Sequence, residues 1–147
     1  MYITKIHLKD VRCFEEAVID LSDCKPGTSI LIAGNNGIGK SAILRAIAMG
    51  LCDRDSAASL LRELEGNFVR KQAQENKTIE GGEKEAVIEI DLIDEKKKSW
   101  KITTTVTEWK ELIIETVAQI YRTDGRDKPK PFKDIYPFWD LLFVTAY

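Results

Sequence analysis

The chain has 147 residues, 44% hydrophobic and 31% charged, with a formal net charge of −2. That is the size and composition of one globular domain with a real core, and the charge excludes a global attraction to nucleic acid, so any DNA contact must come from a local patch. The apolar stretches are too short to cross a bilayer, the charged N-terminus has no signal-peptide shape, and Cys13, Cys24 and Cys52 lack metal-ligand spacing; a cytoplasmic protein with reduced thiols and no membrane partner is expected.

In chain order, "MYITKIHL" alternates, with Tyr2, Thr4, Ile6 and Leu8 against Ile3, Lys5 and His7, which predicts a half-buried strand. His7, the only histidine, sits there as a strand-surface residue rather than a catalyst. "KDVRCFEE" reads as a polar connection around an exposed aromatic, "AVIDLS" as a second strand, and "DCKPGT" as a turn punctuated by Pro26-Gly27. "SILIA", residues 29–33, is a continuous apolar run, the pattern of a strand covered on both faces. Residues 41–51 predict a helix with a stripe of Ile43, Leu44, Ile47, Ala48 and Leu51. Residues 53–56 can end it and cap a second helix carrying Leu60, Leu61 and Leu64.

The second half is β-rich. "QENKTIEGGEKE" is a surface loop; "AVIEIDLID" and "SWKITTTVTEW" flank a charged turn and predict an antiparallel hairpin. The β-branched content of "ELIIETVAQIYR" favours a strand over a helix. "TDGRDKPKPFKD" is a loop with two prolines, and "WDLLFVTAY" is a final strand.

Chemistry concentrates at Gly34-Asn35-Asn36-Gly37-Ile38-Gly39-Lys40-Ser41, which fits G-x-x-x-x-G-K-[ST]. The glycines let backbone N–H groups turn inward and approach a ligand with no Cβ in the way. Residues 39–42, Ala42 included, open a helix whose free N–H groups and positive dipole end favour an anion. Lys40 can reach the β- and γ-phosphates of a nucleotide, and the Ser41 hydroxyl can ligate Mg²⁺. A ligand-free strand–helix turn is the bland alternative, but the apolar run before and the amphipathic helix after are the context that the motif requires.

"ITKIHLKDVRCFEEAVIDL" followed by "LIAGNNGIGKSAILRAIAMGL" resembles the N-terminal lobe of ABC-type ATPase heads, and more closely that of the SMC, RecF and recombination-repair ATPases. It is similar also to the AAA-like ATPases of bacterial anti-phage systems and overcoming-lysogenization-defect nucleases. Asp10-Val11 stands where that family commonly has Asn-Phe, whereas Arg12 and Phe14 match, and "LLFVTAY" resembles a late strand of the defence-type members. The resemblance covers nearly the whole chain, most specifically residues 1–51. It implies an α/β P-loop NTPase fold, an ABC-ATPase-like N-terminal lobe with an antiparallel β patch flanking the P-loop strand and helix. It implies ATP and Mg²⁺ as ligands and places Arg12 near the nucleotide. It also implies ATP-dependent dimerisation of heads, with DNA and a nuclease as further partners. A transporter-type ABC ATPase, or a nucleotide-binding module with no nucleic-acid role, is the alternative.

No convincing catalytic residue is present. Asp94-Glu95 follows apolar residues, but the alternation before it reads as a half-exposed hairpin, not the buried strand that presents a Walker B pair. The signature motif and switch histidine of such heads are missing too. Residues 1–147 are therefore expected to be one lobe of a longer ATPase, needing a C-terminal half and binding ATP without efficient turnover. Lys96, Lys97 and Lys98 read as a solvated turn before a DNA contact, Lys128 and Lys130 as loop residues, and Trp100, Trp109 and Trp139 as packing residues before base-stacking ones.

Overall fold

Alternation along three strands builds the core. In the computed structural model, which describes residues 1–52, 54–63, 68–70, 84–93, 97–108, 112–121 and 130–131, β1 (Tyr2–Val11) pairs with β2 (Phe14–Asp20) on one side and β3 (Lys84–Ile93) on the other. β4 (Ser99–Glu108), β5 (Leu112–Tyr121) and β6 (Lys130–Pro131) complete a six-stranded sheet, order β2-β1-β3-β4-β5-β6, with every pairing antiparallel. The register aligns Ile6 with Ile90 and Ile90 with Ile102, and Leu8 with Ile88 and Ile88 with Thr104. Every one of these side chains is at most 2% exposed. Period-two burial thus puts one face of β1, β3 and β4 into the core.

Two helices cover that face. Ala46, Met49 and Leu51 from α1 (Lys40–Gly50) and its end, with Ala57 and Leu61 from α2 (Arg54–Glu63), join the same buried cluster. The opposite face is polar. Both ring nitrogens of His7 lie 3.1 Å from a carboxylate oxygen, Nδ1 from Glu89 and Nε2 from Glu16, and Lys101 Nζ donates to Glu89 at 2.9 Å. His7 is the strand-surface residue that its position predicts.

The hairpin of β3 and β4 and the strand over residues 112–121 form as their patterns indicate, and turns occur at 22–23 and 26–27. Four expectations are corrected. The connection around Phe14 shrinks to Arg12-Cys13, and Phe14 starts β2 and packs partly buried against the core, because β1 continues to Val11. The stripe of α1 holds only in part: Leu51 is buried and Ile43 and Ile47 pack partly buried against the core, but Leu44 is 58% exposed, and Ala42, Ala46 and Met49 are buried, since small residues let the helix approach the sheet. Lys130-Pro131, read as loop, pairs with Ala118 and Val117.

The fourth correction concerns residues 29–33, which form no strand. Ile30 is 51% exposed and Leu31 89%. Ile30 and Ile32 only border a groove of about 310 Å³ with Ile19, Leu21 and Ile47. A strand exists only if a neighbour takes its backbone groups, and none of the described strands pairs with this run. Asp94, Glu95, Lys96, Trp109, Lys128, Trp139, Leu64, most of "QENKTIEGGEKE" and all of "WDLLFVTAY" lie outside the described residues. No helix among the described residues is long and apolar enough to cross a membrane.

Candidate functional site

The glycine-rich loop runs directly into α1. Gly39 is the residue before the first helical position, with φ +104°, and Lys40 begins the helix. A left-handed φ is inexpensive only for glycine, so the turn into α1 requires this residue type. The Gly39 carbonyl accepts from Ile43 N at 3.0 Å, the first hydrogen bond of the helix. None of the backbone bonds formed among the described residues uses the N–H groups of residues 36–42, so they remain available to a ligand. Available N–H groups at the positive end of a helix are an anion-binding arrangement.

The side chains add charge. Lys40 Nζ donates to the carbonyls of Gly34 and Asn35, each at 2.7 Å, so the ammonium is held across the mouth of the loop. Ser41 is exposed on the first turn, and Ala42 is 6% exposed, turned to the core. Asn35, Asn36, Gly37 and Ile38 are exposed, and the Ile38 side chain folds back to within 3.4 Å of where a Cβ on Gly34 would lie.

Arg12 reaches the same place from the β1–β2 turn. It lines an open cavity of about 620 Å³ together with Asn36, Gly37, Gly39, Lys40 and Ser41. Its Nη1 is buried and has no hydrogen-bond partner among the described residues. A buried guanidinium nitrogen without an acceptor is costly, and an anion in the cavity would relieve that cost. The described lining thus carries two cations, Lys40 and Arg12, and no carboxylate. No cluster of His, Cys, Asp or Glu suited to a metal occurs among the described residues.

Two lining residues escape sequence reasoning, Cys13 and Val69. Val69 arrives through a one-residue antiparallel bridge to Val11, flanked by Arg12 N donating to Phe68 O at 2.8 Å and Arg70 N to Asp10 O at 2.9 Å. Two apolar residues after "EGN" were the sole local signal, and it does not say what they pair with.

Fold and loop together define a class: an α/β protein that presents a G-x-x-x-x-G-K-[ST] loop at the start of a helix, beside a β-hairpin carrying an arginine. The chain belongs to the AAA domain family, whose model matches residues 5–135, and so is an AAA-type ATPase domain. It is also similar to the Retron Ec83 probable ATPase of Escherichia coli, 39% identical over 69 residues. That stretch is 47% of this chain and 12% of the length of the relative.

Proposed function

We propose that this chain is the ATP–Mg²⁺-binding N-terminal lobe of an SMC/RecF-like ATPase that acts in phage defence or in DNA repair and maintenance. The observation that carries the reading is the convergence of unpaired loop N–H groups, Lys40 and the unpartnered Arg12 Nη1 on one cavity. The backbone of residues 34–41 cradles the β- and γ-phosphates, Lys40 leaves its two carbonyls to face them, and Arg12 supplies a second positive charge. The Ser41 hydroxyl would hold Mg²⁺, whose charge would offset that of the phosphates. Similarity to a retron ATPase favours the defence branch.

Heads dimerise on ATP, and DNA and a nuclease are the further partners in the longer protein. The apolar run at residues 29–33, which pairs with no described strand, is consistent with a C-terminal half that completes the sheet around the loop. The test is a calorimetric titration with ATP and Mg²⁺. Lys40→Ala removes a charge-assisted contact of about 1.5–3 kcal/mol, so affinity should fall roughly ten- to a hundredfold. Equal affinity for both proteins would overturn the assignment.

A further inference from the structure

The phosphate loop is gripped at one point. At Gly37 a Cβ would meet nothing within 4 Å, and at Gly34 only the loop's own Ile38. At Gly39 the space is already taken: a Cβ there would lie 2.6 Å from Cys13 Sγ, 2.7 Å from Phe14 Cζ and 3.0 Å from Phe14 Cε2. Cys13 Sγ also donates to the carbonyl of Ile38 at 3.9 Å, across 25 positions of sequence. The tip of the β1–β2 hairpin therefore presses on the last two residues of the loop before Lys40.

That tip is itself held in place. Asp10 and Arg12 adopt left-handed backbone conformations, φ 52° and 50°, on either side of Val11, which is 0% exposed. The two backbone hydrogen bonds to residues 68–70 bracket the turn. Phe14, in addition, packs against the core cluster while its ring edge meets Gly39. It does not line the cavity, although Arg12 and Cys13 beside it do.

We infer that Phe14, backed by Cys13, is a positioning residue for the phosphate loop: its ring fixes Gly39, and with it the N–H groups around Lys40, and does not stack on the nucleotide base. This rests on the reading of the loop as a nucleotide site. The physical case is one of order. A glycine-rich loop has many conformations, and the one that points its N–H groups at phosphate must be selected against the rest. A site that holds a ligand through several N–H groups loses affinity when they shift by a fraction of an ångström. The ring edge at Gly39 is a rigid stop at the point where the left-handed φ turns the loop into the helix.

The role makes a prediction that distinguishes it from base stacking and from simple core packing. Binding of ATP, GTP and inorganic tripolyphosphate, each with Mg²⁺, is measured by calorimetry on the full chain and on Phe14→Ala, with a thermal melt of each protein. Loop positioning predicts that the variant weakens all three ligands by the same factor, roughly tenfold or more. Phe14→Leu, which restores most of the volume, should recover most of the loss.

If ATP and GTP weaken while tripolyphosphate does not, Phe14 contacts the base and the inference is wrong. A lower melting temperature with all three affinities unchanged makes Phe14 a packing residue only and equally overturns it. Should Phe14→Ala fail to fold, Cys13→Ala is scored by the same criterion: a parallel loss supports the inference, and an unchanged or nucleotide-only effect refutes it. An unsubstituted chain that binds none of the three ligands refutes the nucleotide site itself, whereas tight binding that ignores Phe14 refutes only this positioning role.

Discussion

Glu89 and Asp91 sit two positions apart on the polar face of β3, yet their carboxyl groups are shifted in opposite directions. Burial pushes Glu89 up from 4.5, but hydrogen bonds from Lys101 and His7 outweigh it and hold the carboxyl below that value. Burial pushes Asp91 up from 3.8, Lys101 offsets only part of this, and its Oδ1 has no hydrogen-bond partner among the described residues. The signs follow from linkage. Glu89 stabilises the fold above pH 4.5, and that contribution is lost as pH falls through its lower folded value. Asp91 carries no penalty below pH 3.8, and its cost grows as pH rises through its higher folded value. At pH 7, Glu89→Gln should therefore lower stability by about 1 kcal/mol and Asp91→Asn should raise it by about as much, shifting the melting temperature by about 3 °C down and up respectively. The same melts at pH 3 should show both differences shrink. Alternation reveals that both residues face outward; it does not reveal which one finds donors.

At the scale of elements, the end of α1 lies close against β3. Gly50, the last residue of α1, faces two fully buried side chains, and a Cβ there would lie 2.7 Å from Ile90 Cδ1 and 2.8 Å from Ile88 Cγ2. Replacing it with alanine sets two effects against each other. Helix propensity favours alanine by about 1 kcal/mol, less at a helix end. Overpacking a dense core costs about 1–3 kcal/mol. The second wins, so Gly50→Ala should destabilise the chain, read as a lower denaturant midpoint at unchanged slope. A stabilised variant would mean that α1 stands further from the sheet than described. Close approach also explains why the helix stripe was misjudged. Of the residues that periodicity selects, Leu51 is buried and Ile43 and Ile47 pack partly buried against the core, but Leu44 is exposed, and the small residues Ala42, Ala46 and Gly50 are buried in its place.

For the whole molecule, the behaviour of residues 29–33 separates a lobe from a complete ATPase. Leu31 is 89% exposed. Leu31→Ser should change the stability of this chain by less than about 0.5 kcal/mol. In a longer polypeptide that lays a strand against it, the same change should cost about 2–4 kcal/mol, as for a buried leucine. Thermal melts of the two pairs of proteins decide between these outcomes. Turnover is the second expectation at this scale. Binding phosphates in the ground state does not accelerate their transfer; a carboxylate that positions metal or water does. The described lining has none, so residues 1–147 assayed with ATP and Mg²⁺ should stay near background while a longer polypeptide hydrolyses. Rapid turnover by the short chain that Asp94→Asn or Glu95→Gln abolishes would show instead a compact ATPase.

The sequence by itself determined the parts whose chemistry is local. Gly39 before Lys40-Ser41 announces a glycine turn into a helix that starts with a lysine, because the turn, the first-turn N–H groups and the charge are all specified by adjacent residues. The alternation of β1 announces a half-buried strand, and the patterns of β3 and β4 announce a hairpin, for the same reason. Tertiary structure alone decided what depends on residues far apart in the chain. Whether residues 29–33 become a strand rests on a neighbour that no local pattern supplies. Which face of α1 is buried depends on how near the sheet lies. That Cys13 and Phe14 meet Gly39, that Val69 bridges to Val11, and that Arg12, with its Nη1 buried, lines one cavity with Lys40 follow from the packing of a hairpin tip against a loop. Residue type and spacing encode a conformation; proximity through space is a property of the folded chain, because it is the sum of contacts that no single segment contains.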